Sequence, residues 1–172
     1  MALCQWSESM SVGESRLDAD HKALIRLINR LDDSLKAGAE YAVLGEVFDS
    51  LINYTRFHFT REQKVMQACG YPDAEAHEEE HSGFTRYIKE VRDRYARNAD
   101  PALIRGLLDY LKDWLSHHIL IQDMAYKPYV EHNWWASEVS RVFGLGLAEE
   151  APADPARIAS IHCPEIKSPL RD

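Results

Sequence analysis

Five of the eight histidines in this 172-residue chain fall at positions where a helical pattern calls for apolar residues, with companions at helical spacing. His58 and Glu62 are four residues apart, which on an α-helix is about 40° around the axis and one turn along it, so both reach the same point in space. His77 and His81 repeat the offset, and two imidazoles stacked this way chelate one metal ion. His118 and Asp123 are five apart, an α-helical angle of about 140°, which predicts a carboxylate that reaches sideways and bridges rather than chelates. His21, just after Asp18-Ala19-Asp20 and among Leu17, Leu24 and Ile25, adds a ligand from a further helix.

Five imidazoles and two carboxylates exceed what one tetrahedral zinc takes, and suit two metals bridged by carboxylates. Nitrogen and oxygen donors without thiolate favour iron or manganese. The set is richer in histidine than ferritin-like sites, and the Glu-x-x-His pairs of those sites are missing from the ligand positions. Any one helical histidine is more simply a hydrogen-bonded core or surface residue. Five of them in mutual register with two carboxylates are not. His77-Glu78-Glu79-Glu80-His81 also matches the His-Glu-x-x-His pattern of zinc proteases, with Glu78 as general base, but that reading leaves His21, His58, Glu62, His118 and Asp123 without a role. Glu78, Glu79 and Glu80 are better read as a solvated helix face. His117, His132 and His162 fall off the ligand pattern.

Four amphipathic helices must position these residues. The first runs from Asp18 to Lys36 through Leu24, Ile25, Leu27, Ile28, Leu31 and Leu35, with Gly38 as its stop. The second runs from about Tyr41 to Ala68 and ends before Gly70-Tyr71-Pro72. A third is capped by Asp73 and extends to about Arg97. Asn98-Ala99-Asp100-Pro101 gives a turn, a cap and a proline in the first helical position, and the fourth helix runs to about Tyr126, before Pro128. Short connections predict an all-α, antiparallel up-down-up-down four-helix bundle with an N-terminal arm. Residues 1–131 form that bundle in this reading. Residues 132–172 form a C-terminal extension, with one short helix around Trp134, Trp135, Val139, Val142 and Phe143 followed by an irregular tail without a core of its own.

Composition agrees with a single domain: 45% of residues are hydrophobic and 28% charged, with no strand-like Val/Ile/Thr run. A net charge of −8 with no basic stripe argues against nucleic acid. No stretch is apolar enough to span a bilayer, and Met1-Ala2-Leu3-Cys4-Gln5-Trp6 does not read as a signal peptide. Cys4, Cys69 and Cys163 suit free thiols in a reducing cytoplasm. A cytoplasmic protein without membrane attachment is the expectation.

Trp6, Val12-Gly13, Asp18-x-Asp20-His21, His58-Phe59-x-x-Glu62 with Met66, Tyr71-Pro72, His77-x-x-x-His81-x-x-Phe84, and Trp114-Leu115-x-x-His118-Ile119-x-x-x-Asp123 together resemble the bacterial branch of the hemerythrin family. The resemblance is in register from about residue 6 to 130. It implies that His77, His81 and His118 bind one iron, that His21 and His58 bind the other, and that Glu62 and Asp123 bridge them. It further implies a pair of non-haem irons, oxo- or hydroxo-bridged, with dioxygen as reversible ligand on the His21/His58 side. Phe59, Trp114, Leu115 and Ile119 would line a dry dioxygen pocket. The chain departs from the commonest pattern at Gln63, where a second Glu is usual, and at His117, of which only the neighbour His118 keeps the ligand spacing. The implied role is an oxygen carrier, store or sensor and not an enzyme. The rival readings are a di-iron oxidase, peroxidase or nitric-oxide-handling enzyme on the same scaffold, and a signalling protein that meets a partner through its C-terminal extension.

Overall fold

A computed structural model describes residues 2–38 and 41–143. Helices α1 (Ser15–Lys36), α2 (Tyr41–Ala68), α3 (Ala74–Arg97) and α4 (Pro101–His117) form a bundle in which α1 packs on α2, α2 on α3, α3 on α4 and α4 on α1. Contacts across α3 and α4 run in opposite senses: His81 meets His118, Phe84 meets Trp114 and Tyr87 meets Tyr110. The neighbours are therefore antiparallel, as the short connections predict. His118–Asp123 continues α4 as a π-helical turn, and α5 (Met124–Val130) and α6 (Trp134–Val142) follow. Among the described residues there is no strand, and no helix is long and apolar enough to cross a membrane.

The ends of the helices are set by local chemistry. At the end of α2, Gly70 takes φ +71°, its N–H bonds to the Gln67 carbonyl at 3.3 Å, and the Tyr71 N–H bonds to the Met66 carbonyl at 3.0 Å. This is the Schellman arrangement, which satisfies two carbonyls left over by the helix and favours glycine at the left-handed position. Asp100 caps α4 through the Ala102 N–H, with Pro101 in the first turn. Asp73 stands at the start of α3, but its side chain makes no capping bond.

Two boundaries differ from the sequence reading. α1 begins at Ser15 rather than Asp18, because the Glu14 carboxylate accepts from the Arg16 and Leu17 N–H groups. Asp18 ties the N-terminal arm instead, accepting from the Ser11 hydroxyl and the Val12 N–H. The fourth helical rod does not stop at Tyr126. It continues to Val130 with Pro128 inside, where burial of Tyr126 and Val130 holds the last turns despite the missing N–H.

Apolar residues form two clusters. One, around Leu24, Ile28, Phe48, Phe84, Leu107 and Leu111, fills most of the bundle. The other, around Leu17, Val65, Met66, Tyr126, Trp135 and Val139, fills one end. α6 belongs to this second cluster and packs on α1 and α2, and its Ser140 hydroxyl donates to the buried Glu14 carboxylate at 2.7 Å. The described part of the C-terminal extension is thus packed against the bundle, and the rest of it, residues 144–172, lies outside the described residues together with Cys163 and His162.

Gly13 turns the arm into α1 at φ +82°, and a Cβ there would meet Glu131 Cγ at 2.8 Å. Gly13→Ala should therefore destabilise the fold by about 1–2 kcal/mol from backbone conformation alone. Gly45→Ala, inside α2 with no heavy atom within 4 Å of the new methyl, should stabilise it by about 0.5–1 kcal/mol. Denaturant unfolding of both variants in the same metal-loaded state checks the opposite signs.

Candidate metal centre

Each of the four rods contributes its residues at the same end of the bundle. His21 lies near the start of α1, His58 and Glu62 in the last third of α2, His77 and His81 at the start of α3, and His118 and Asp123 in the π-turn after α4. Antiparallel order brings those four stretches to one level. On every rod the polar residues sit between the two apolar clusters: Leu17 and Leu24 flank them on α1, Ala74 and Phe84 on α3.

All seven candidate ligands converge and are buried. Ligand atoms of Glu62, His77, His81 and His118 lie within 4.8 Å of one another, as do those of His21, His58 and Glu62. Glu62 is common to both groups. Its Oε2 stands 3.1 Å from His81 Nε2 and 3.4 Å from His77 Nε2, and its Oε1 stands 3.9 Å from His21 Nε2. Asp123 spans the same gap with its two oxygens: Oδ2 is 3.2 Å from His21 Nε2, and Oδ1 is 3.2 Å from His118 Nε2 and 3.4 Å from His77 Nε2. His81 and His118 present Nε2 atoms to each other at 2.8 Å.

The π-turn explains Asp123. A spacing of five on an α-helix would turn it about 140° from His118. In the π-helix the hydrogen bond runs to the fifth residue, so residues five apart come onto one face, and such turns are rare and concentrate at functional sites. The sideways reach expected from α-helical geometry is replaced by a wider turn that aims both side chains inward.

Around the centre, Asp20 Oδ2 lies 3.4 Å from His58 Nδ1, while the Tyr54 hydroxyl donates to Asp20 Oδ1 at 2.7 Å and buried Arg61 pairs with Oδ2. The sequence placed Asp20 at the positive end of a helix and left open a hydrogen bond from Asp18 or Asp20 to one of the histidines; Arg61, three residues after His58 and so on the same inward face, was the signal for the further partner of Asp20. The Tyr126 hydroxyl, wholly buried, donates to Glu62 Oε1 at 2.5 Å. Tyr126 follows Asp123 by three residues, a spacing that in retrospect marks it. Phe59 stacks on His81 with ring centroids 3.7 Å apart, and Trp114 stacks on His118 at 4.2 Å. Leu115 and Ile119 are buried beside them, whereas His117 and His132 are exposed. The Trp6 and His21 ring centroids lie 6.5 Å apart, and the Lys22 ammonium sits over the Trp6 ring, 4.6 Å from its centroid.

Glu62 Oε2, both oxygens of Asp123, and Nε2 of His21 and His77 are buried with no hydrogen-bond partner among the described residues. Buried polar atoms left so are costly, and here they all face one volume. A donor set of this kind fits metal cations, with the two carboxylates reaching both halves. Burial pushes the imidazoles of His21 and His118 below their ordinary range, and that of His81 to about 4. Burial also drives Asp123 well up, reinforced by the Glu62 charge. For Glu62 burial is outweighed by His58, His77 and His81, which hold it well down, and for Asp20 by His58 and Tyr54. In the metal-free protein, His81 then stays neutral where an unfolded chain protonates it near 6.5. The unfolded state binds the extra proton, so stability should fall as pH drops from about 6.5 towards 4. Denaturant unfolding of the chelator-treated protein across that window, against His81→Phe, measures this contribution as the difference in slope.

Comparison with known proteins agrees with this geometry. The family model described as "Hemerythrin HHE cation binding domain" matches residues 12–130. A bacteriohemerythrin from Pseudomonas aeruginosa is 31% identical over 157 residues, covering 84% of this chain and all of the relative. A bacteriohemerythrin from Ralstonia nicotianae is 33% identical over 72% of this chain and 85% of its own, and a myohemerythrin from Theromyzon tessulatum is 29% identical over 72% and 90%. The crystal structure of wild-type hemerythrin superposes with a TM-score of 0.68 at 27% identity, covering 76% of this chain and 99% of that one. The chain belongs to the hemerythrin family of cation-binding domains.

Proposed function

We propose that this protein holds two non-haem irons and binds dioxygen reversibly, as a carrier, store or sensor rather than an enzyme. The observation that carries the reading is that Glu62 and Asp123 each face both histidine groups, which is what two bridging carboxylates require. His77, His81 and His118 would hold one iron, and His21 and His58 the other, with an oxo or hydroxo group completing the bridge. The pair of irons supplies the reversible exchange of electrons with dioxygen. The His21/His58 group has one imidazole fewer, which leaves room there for dioxygen.

The protein's own work is to orient and to keep dry. Asp20, held by Arg61 and Tyr54, faces His58 Nδ1 and so favours a proton on that nitrogen and a free Nε2 towards the centre. Tyr126 holds Glu62 Oε1 and, with its ionisation pushed far up by burial and by the Glu62 charge, remains a neutral donor. Phe59, Trp114, Leu115 and Ile119 surround the imidazoles with apolar surface, which keeps water and protons from the bound ligand. Residues 1–131 form the unit that does this, and 132–143 close the end of the bundle nearest the centre.

Metal analysis should give two irons per chain. Glu62→Ala and Asp123→Ala should each lose most of that iron, and exposed His117→Ala should retain it; equal loss in all three would refute the ligand assignment. The anaerobically reduced protein should gain a visible absorption band in air and lose it on evacuation. Leu115→Ala should speed irreversible oxidation several-fold with little change in iron content, since a void beside polar atoms admits water. Rapid multiple turnover of dioxygen with reductant, and no band that reverses on evacuation, would overturn the carrier reading in favour of an oxidase.

A further inference from the structure

Trp114 stacks on the imidazole of His118, with ring centroids 4.2 Å apart and planes 15° apart, and stands 6.5 Å from His81. Outward from there the rings continue. Phe84 meets Trp114 at 4.1 Å and Tyr110 at 6.0 Å, and Tyr110 meets Tyr87 at 4.2 Å. Tyr110 lies four residues before Trp114, so the two are neighbours on successive turns of α4. Trp114, Tyr110 and Tyr87 are all half-exposed, so the series begins on a buried imidazole and ends at solvent.

Residue type separates this series from ordinary packing. Indole and phenol give up a single electron far more readily than the rings of Phe or His. Phe59, stacked on His81, is therefore no stepping stone. Trp6 is oxidisable and 6.5 Å from His21, but the Lys22 ammonium, 4.6 Å from its ring centroid, opposes a positive charge there. Tyr126 is nearer, 5.8 Å from His77, but a phenol must lose its proton with its electron, and the Tyr126 proton faces Glu62, one of the two proposed bridging carboxylates. Trp114 can lose an electron without losing a proton. The tyrosines beyond it reach water, which can take theirs.

We propose that Trp114 draws oxidising equivalents from the metal centre and passes them to the Tyr110/Tyr87 pair, so that peroxide reacting at the centre is reduced to water by surface tyrosines. On the iron reading above, a dioxygen ligand that is lost with protons leaves as peroxide, and the role of the relay rests on that reading. Peroxide takes two electrons and two protons to become two waters. Tyr110 and Tyr87 each supply one electron, by way of Trp114, and each releases its hydroxyl proton, so the balance closes with two phenoxyl radicals. A one-electron reductant of the ascorbate class, which the apolar lining keeps from the centre, reaches the half-exposed tyrosines and restores both hydrogens. Without it the two radicals, whose rings are 4.2 Å apart, join through ring carbons beside their hydroxyls. The hydroxyls regain hydrogen from those carbons, and a dityrosine bond ties α3 to α4 with two hydrogen atoms lost.

Peroxide added to the iron-loaded, full-length protein should produce dityrosine fluorescence, and peptide mass spectrometry should place the crosslink between Tyr87 and Tyr110. Ascorbate should suppress the crosslink while peroxide continues to be consumed. Trp114→Phe should lose most of the peroxide-driven crosslink per bound iron. Illumination with a ruthenium photo-oxidant, which attacks tyrosine from solvent, should still form the bond in that variant. Tyr87→Phe should abolish it under both oxidants, with iron content unchanged. A peroxide-driven crosslink between Tyr71 and Tyr129 instead, which lie 5.4 Å apart and are reached through Tyr126, would overturn the proposal, as would a full yield in Trp114→Phe. So would the absence of any crosslink in iron-loaded protein whose visible band in air reverses on evacuation. Protein that holds no iron would instead refute the reading on which the relay rests.

Discussion

A layer of buried polar side chains, stacked between two apolar clusters, is the constraint on which the rest of this bundle depends. Two carboxylates and five imidazoles turn inward at one level, most of their inward atoms without hydrogen-bond partners among the described residues. Such a layer is tolerable only if every rod delivers its residues to the same height, because a group displaced by one turn would be buried in hydrocarbon at a cost of several kcal/mol. The short loops and the antiparallel order set that height, and the apolar clusters above and below hold it.

The outer contacts follow from the same demand. An imidazole that turns Nε2 towards the buried layer is oriented by an anion beside its other nitrogen, and the Asp20 carboxylate stands 3.4 Å from His58 Nδ1. That carboxylate is itself buried and anionic, so it brings Arg61 and Tyr54 with it. Tyr126 serves Glu62 in the same way. Each polar group admitted to the layer therefore recruits another, and the recruitment ends only where a side chain reaches the surface, as at Glu80, 3.6 Å from His118 Nδ1 and largely exposed.

Much of this was legible in sequence because α-helical spacing is a rigid ruler. His58 with Glu62 and His77 with His81 could be placed on common faces from number alone, and the loops at Gly38, Gly70 and Pro101 marked where each rod turns. The ruler failed where the helix itself changed. No residue type announces a π-turn, so the five-residue gap from His118 to Asp123 was read with the wrong pitch, although both side chains do face the same buried layer. Pro128 suggested an ending that burial of Tyr126 and Val130 overrides. The Glu14 cap was missed because glutamate is not among the usual capping residues, and its further bond to Ser140, far along the chain, leaves no local pattern.

The Glu14 carboxylate joins these observations. It caps α1 about two turns before His21, and the same Oε2 that accepts from the Arg16 and Leu17 N–H groups accepts the Ser140 hydroxyl from α6. α6 in turn buries Trp135, Ala136 and Val139 against the cluster that contains Leu17, Val65 and Tyr126. These three stand on α1, α2 and α5, each within one turn of a residue of the polar layer: His21, Glu62 and Asp123. A segment that looks like an addition in sequence thus seals the thinner apolar cover of the centre. On the far side the main core is many layers deep, and there the helices can open a groove between α2 and α3 without exposing the inward-facing atoms, because Phe59 stacked on His81 closes its floor.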